Sequence, residues 1–272
     1  MGQELFRRVA VLTLDTIRIE RLRIAFNVVK DGKPQPNKAT IKVWGLSEAH
    51  KQYLKQLSLS GIGVQLEAGY ETGTSIIYRG SLRRCFTMRE QASLVTTLES
   101  GDGTPQVQGS RVAVSVQKGA TNRDVLAAVA RSVGVLEGNL GDALAKLGGA
   151  SVFMNGGVFF GSAADEMTRL CRSLGLTWSI QDGKLQVLDP SSVAAGKAIL
   201  LSKDTGMINE PSVDPKGVLS VSMLIQPDVF PGRLISLQGQ RIQGNWKIEQ
   251  TTHSGDTRST GPWQIAATAK AF

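Results

Sequence analysis

Apolar and polar residues alternate through much of the first hundred positions, with the two-residue period of half-buried antiparallel strands. Ile17 and Ile19 alternate with Arg18 and Glu20. The apolar parity then switches to Leu22, Ile24, Phe26 and Val28, with Arg21, Arg23 and Asn27 opposite. A one-residue slip exchanges the two faces of a strand, so the switch predicts a bulge or bend near Glu20 and Arg21. Residues 9–14 are apolar on both parities, as in a strand covered on both faces. A polar loop with an Asp-Gly turn follows at 31–37, then a strand over 39–44. Ser47 opens a short helix with Tyr53, Leu54 and Leu57 on one face. Further strands are predicted over 61–70, 75–80 and 93–99.

In the middle of the chain the period changes. Val125, Leu126, Val129, Ala130 and Val133 form a helical stripe. Thr121 and Asp124 make a Thr-x-x-Asp box at its start, and Gly134 stops it. Residues 135–161 are glycine-rich and read as a flexible connection. Ser162 caps a second helix carrying Met167, Leu170, Cys171 and Leu174. Strands at 176–180 and 185–188 then flank an Asp-Gly turn, the signal of a tight hairpin. Residues 189–196 read as a linker, and a β block resumes from about 197.

That last block runs from Gly217 to Pro227, turns at Pro231-Gly232, and continues through Gly244-Asn245-Trp246. It reaches His253-Ser254-Gly255-Asp256 and ends on a strand opened by Trp263. Two earlier segments belong beside it: Phe26 to Lys30 with Ala39 to Ser47, and Ser162 to Leu188, with its Gly175-Leu176-Thr177-Trp178 strand and Asp182-Gly183-Lys184-Leu185 turn. Together they resemble the baseplate hub family of contractile-tailed and related phages, which includes late control protein D. The resemblance implies an α+β, mainly β fold. Two tail-tube-like antiparallel β-barrel domains, 1–110 and 191–272, would flank a small α+β domain at 111–190. It also implies a homotrimer whose six barrels make a pseudo-sixfold ring joining the tail tube to a central spike. DNA would pass through its channel without sequence-specific binding. The partners implied are the tail tube protein, a separate spike protein and other baseplate proteins. The expected location is the virion tail, after synthesis in the host cytoplasm.

Composition changes this picture little. Apolar residues make up 41% of the 272 and charged residues 20%, ordinary for a globular chain. No apolar run approaches the ~20 residues of a membrane span, and no secretory signal is seen. Cys85 and Cys171 make no disulfide framework, which fits a reducing compartment. Net charge is +8, and residues 1–60 hold eleven basic and five acidic side chains, or +6 of it. A basic first segment suits an anionic partner or simply a solvated face.

Candidate chemistry is sparse. His50 and His253 have no ligand-spaced companions, so neither a metal site nor a cofactor is expected. Asp256 reads as turn chemistry. Cys85 lies beside Arg83 and Arg84, and Cys171 reads as core. Asp165 with Glu166, and Glu210 with Asp214, are the nearest carboxylate groupings. The expectation is therefore a structural protein rather than an enzyme. A tail-associated cell-wall hydrolase and a basic nucleic-acid-binding barrel stand as alternatives. Interface residues are expected among Arg18, Arg21, Arg23 and Lys42, and in the apolar stretch Val152, Phe153, Met154, Val158, Phe159 and Phe160.

Overall fold

The computed structural model describes residues 7–56, 62–146, 156–226, 228–258 and 260–272. The chain forms two compact units, one from residues 1–31, 37–102 and 194–272, the other from 32–36 and 103–193. The first unit opens with β1 (Arg8–Leu14), β2 (Ile17–Ile19), β3 (Ile24–Asp31), β4 (Lys38–Trp44) and α1 (Glu48–Gln56). It continues with β5 (Gly63–Tyr70), β6 (Gly73–Glu90) and β7 (Ser93–Gly101). The second unit holds α2 (Thr104–Gly109), β8 (Arg111–Val116), α3 (Asn122–Val133) and α4 (Leu140–Lys146). Then come β9 (Gly157–Ser162), α5 (Ala163–Ser173), β10 (Thr177–Gln181) and β11 (Lys184–Leu188). The chain returns to the first unit with β12 (Ile199–Ser202), β13 (Ser212–Val213), β14 (Val218–Leu224), β15 (Leu234–Gln238), β16 (Gln243–Asp256) and β17 (Trp263–Ala271).

The fold is mainly β. The strands of both terminal blocks join one sheet, in the order β13-β14-β17-β16-β3-β4-β7-β6-β5-β1-β2, with β15 and β12 branching from β16. All its strand pairs are antiparallel except β12 with β15. This corrects the expectation of two closed barrels: the hydrogen-bonded path is open, and no barrel closes among the described residues. The reason lies in β3 and β16, which pair with each other from Gln250↔Asp31 to Asp256↔Ala25. Each spends on the other block an edge that would otherwise be available for closure.

One apolar core serves the whole unit. Leu12, Ile24, Phe26 and Ile41 from the first block share it with Leu219, Ile235, Ile248 and Ile265 from the last. The parity switch near Glu20 is the bend, not the bulge, of the two forms expected, and it lies between β2 and β3. Residues 20–23 leave one strand and enter the next, so the face exchange costs no ladder irregularity. Strand β6 is far longer than the predicted 75–80. Its first half pairs with β5, but beyond Ser81 it pairs with β7 alone. No simple alternation marks that distal half, because both of its faces are largely exposed.

In the second unit the helix signals are realised as caps. Thr121 and Asp124 form a reciprocal capping box on α3, and Gly134 ends it at φ 75°. Ser162 accepts from the Asp165 amide at the start of α5. Asp182 (φ 54°) and Gly183 (φ 79°) make the left-handed turn between β10 and β11. Strands β8 and β9 pair as a ribbon from Arg111↔Ser162 to Val116↔Gly157. Glycines at 156, 157 and 161 hid β9 from a reading by pattern. Leu57, assigned to the first helix face, lies outside the described residues.

Together with Gly80, Gly255 is among the tightest fits in the sheet. A Cβ there would sit 2.2 Å from Cζ of Phe26. Gly255→Ala should therefore cost about 1–3 kcal/mol by overpacking. Gly63→Ala, where nothing lies within 4 Å, should be near neutral. Urea unfolding of both variants checks the contrast.

Candidate functional site

The seam between β3 and β16 places a charged corner beside a polar sheet face. At the corner, Arg23 donates to Asp256 through Nε (3.1 Å to Oδ1) and Nη2 (2.7 Å to Oδ2). The same guanidinium lies over the Trp44 ring, 4.0 Å from its centroid. The Arg258 amide donates to Asp256 Oδ1 at 2.9 Å. Arg8 Nη1 donates to the carbonyls of Gly261 (2.6 Å) and Arg258 (3.1 Å), and Arg8 approaches the Trp263 ring. Trp263 meets Phe26 and Tyr70 edge-on. The first and last blocks are thus tied by a bidentate ion pair over an aromatic base. Such forked pairs are the stronger kind of charged hydrogen bond.

Burial pushes the Asp256 carboxyl up, but the hydrogen bonds and charges of Arg23 and Arg258 outweigh it and hold it below the ordinary carboxylate value. Arg23 is raised in turn, first through its hydrogen bond to Asp256. His253, three residues earlier, is fully buried, and its pKa is pushed down to about 3. Desolvation is the largest cause and Lys30 the second, against a backbone hydrogen bond with Val229. His253 is a neutral core residue at ordinary pH.

Facing away from the core, register rows cross the seam without interruption. Gln264 on β17, Ser254 on β16, Asn27 on β3 and Thr40 on β4 lie side by side. The next row holds Ser222, Ala266, Thr252, Val29 and Lys38. Asn27 Nδ2 donates to Ser254 Oγ across the seam at 3.0 Å. Small and polar uncharged side chains dominate this face, and an open cavity of about 310 Å³ lies on it among Ser220, Ser222, Gln250, Thr252 and Thr268.

The structure places the expected interface residues in several settings. Arg18 on β2 is exposed and paired with Glu20 at 3.1 Å. Arg21 is exposed in the β2–β3 turn. Arg23 is committed to the seam. Lys42 on β4 pairs with Glu90 at 2.7 Å. In the second unit, Val158 (72%) and Phe160 (78%) are exposed while Phe159 (3%) enters that unit's core. Val152, Phe153 and Met154 lie outside the described residues. Sequence reading missed Arg8, Trp44 and the role of Asp256 as Arg23's partner. Asp256, read as turn chemistry, is instead the last residue of β16, and the usable signal was the His253-x-Gly255-Asp256 pattern beside a parity that puts Arg23 on the seam's polar face.

The carboxylate groupings are occupied locally. Glu166 pairs with Arg169, Glu210 accepts from the Gln240 and Arg241 amides, and Asp214 accepts from those of Lys216 and Val218. Burial pushes the Cys171 thiol up to about 12. No group of three or more potential metal ligands occurs among the described residues.

Against this geometry stand the comparisons with known proteins. The profile of a family described as "Baseplate hub gp41" matches residues 8–260. The chain belongs to that family, and is a structural component of a phage tail. Solved structures with the same fold include the tail protein from Neisseria meningitidis MC58 (TM-score 0.62, 12% identity, 97% of each chain covered). Another is the 43 kDa tail protein of prophage MuSo2 from Shewanella oneidensis (TM-score 0.63, 9% identity, 97% of this chain and 98% of that one). A third is the E. coli c3393 protein, a type VI secretion component described as similar to the T4 tail proteins gp27 and gp5 (TM-score 0.57, 10% identity, 96% and 76%). No curated protein sequence matches the chain significantly. No helix among the described residues is long and apolar enough to cross a membrane.

Two titration outcomes follow. A carboxyl held low in the fold stabilises above its unfolded value and loses that contribution as pH falls through the folded one. Asp256→Asn should cost about 1.5–3 kcal/mol near neutrality, and the gap to wild type should narrow below about pH 4. A histidine kept neutral in the fold costs stability wherever the unfolded chain is protonated. Wild-type stability should therefore decline as pH falls from about 6.5 toward 3, and His253→Gln should flatten that slope. Denaturant titrations at stepped pH measure both.

Proposed function

We propose that this chain is a baseplate hub that assembles as a homotrimeric, pseudo-sixfold ring between the tail tube and the central spike. The observation that carries this reading is the division of the sheet. Its long run takes β13-β14-β17-β16 from the last block and β3-β4-β7-β6-β5-β1-β2 from the first. Each block supplies one contiguous, mainly antiparallel set of strands, so three chains would present six such sets to a sixfold partner while keeping threefold symmetry toward a spike. In this reading 1–110 and 191–272 act as the two tube-like domains and 111–190 as the insert.

The polar face of the sheet is the candidate channel wall. Ser, Thr, Asn and Gln side chains offer DNA hydrogen bonds without a dense array of cations. Phosphate attraction grows with each neutralising Lys or Arg, so a weakly charged wall favours passage over retention. Exposed Arg18, Arg21 and Lys42, and the β9 pair Val158 and Phe160, are the proposed contacts to tube, spike or other baseplate proteins. Spike-containing complexes of VgrG with PdpA share the fold at low identity, which agrees with partners of that kind.

Light scattering of the purified chain over a wide concentration range tests the proposal. The expected mass is three times 29.1 kDa. A monomer at every concentration, alone and with tube and spike proteins, would refute it.

A further inference from the structure

The sheet has two unlike edges away from β2. On one side the distal half of β6, from Leu82 to Glu90, pairs only with β7, since β5 begins at Gly63, opposite Ser81. On the other side β13 pairs only with β14. Around the distal β6–β7 hairpin, Arg83, Arg84 and Arg89 are all exposed, and none forms an ion pair among the described residues. Of the two acidic residues there, Glu99 lies opposite Arg84 in the ladder, and Glu90 is held by Lys42 at 2.7 Å. Met88 (60%) and Leu94 (49%) are exposed on opposite faces of the same hairpin. The β13 side carries acidic residues. Residues 204–214 contain Asp204, Glu210 and Asp214, all exposed, with exposed Lys203 and Lys216 just outside that span. Ile208 and Val213 are each 41% exposed.

We infer that the distal β6–β7 hairpin of one copy docks on the 204–214 edge of the next, joining copies head to tail. This rests on the ring reading above and names the contact that closes it. Complementary charge supplies register and partner choice, and the exposed apolar side chains supply buried area. Two different patches on one chain give a heterologous contact, which closes into a ring when its rotation permits. Pro211 and Pro215 flank β13, and proline at a strand edge discourages backbone pairing. The contact is therefore one of side chains rather than an extended hydrogen-bonded ladder. The same prolines keep two 204–214 edges from pairing with each other.

The test uses the full chain with Cys85→Ser as background, because Cys85 is a free, partly exposed thiol on the same hairpin, and with Met88→Cys and Val213→Cys together, treated with a short bis-maleimide. Two- and three-chain species are expected on a denaturing gel, and neither single variant should give them. Separately, Arg83→Glu with Arg84→Glu and Arg89→Glu should weaken assembly by about tenfold or more, the sum of three modest ion pairs. Adding Asp204→Arg and Ser212→Arg to that chain should restore part of it. A trimer by light scattering with no cross-linked ladder would overturn this contact and leave the ring reading intact. A chain that never exceeds a monomer would overturn both.

Discussion

The pairing of β3 with β16 is the constraint on which the rest of the molecule depends. It makes one sheet of two blocks that are far apart in the chain. It sets Phe26 against Gly255, so that the ring occupies the space a side chain would need. It brings Arg23 to Asp256 and Arg8 to the turn beyond it. It also aligns the polar rows of both blocks into one face. A polar corner at the end of an apolar seam is a sound physical arrangement. The apolar core supplies most of the free energy, while a forked ion pair is directional and fixes which residues lie opposite.

The two faces of the sheet divide the labour. Toward the core, branched aliphatic residues from both blocks interlock, and a buried neutral His253 is tolerated there because its charge is suppressed. Away from the core, the same strands carry Ser, Thr, Asn and Gln. Strand geometry makes this possible, since successive side chains point to opposite faces. A polar surface is thereby built on the back of an apolar core, from the same strands and without a separate element.

Much of this was legible from residue order. Alternation at Ile24, Phe26 and Val28 marks a half-buried strand, and the capping residues Thr121, Asp124 and Ser162 mark helix starts where they occur. The family was legible too, from patterns such as His253-Ser254-Gly255-Asp256, although Gly255 and Asp256 end strand β16 rather than forming a turn. Other features lay beyond local pattern. The open sheet in place of closed barrels depends on which strands meet, and alternation is blind to partner choice. Strand β9 was hidden because its glycines imitate a loop. The Arg23–Asp256 pair joins positions at the two ends of the chain, and nothing in either neighbourhood names the other. Interface residues were the least legible of all, since an exposed Arg21 and a committed Arg23 look alike in a string of letters.

The placement of β3 beside β16 also governs the order in which the polypeptide can mature. Val28 is synthesised more than two hundred residues before His253, its neighbour across the ladder. During translation the edge of β3 that β16 will cover stays open, while the α+β unit at 103–193 has all its own strands and helices at hand. Long-range pairing of this kind is slow to form and exposes strand edges meanwhile. A ribosome that stopped short of residue 250 would release a chain with an unguarded template for aggregation. The first unit therefore cannot complete its sheet until residues 250–256 have left the ribosome.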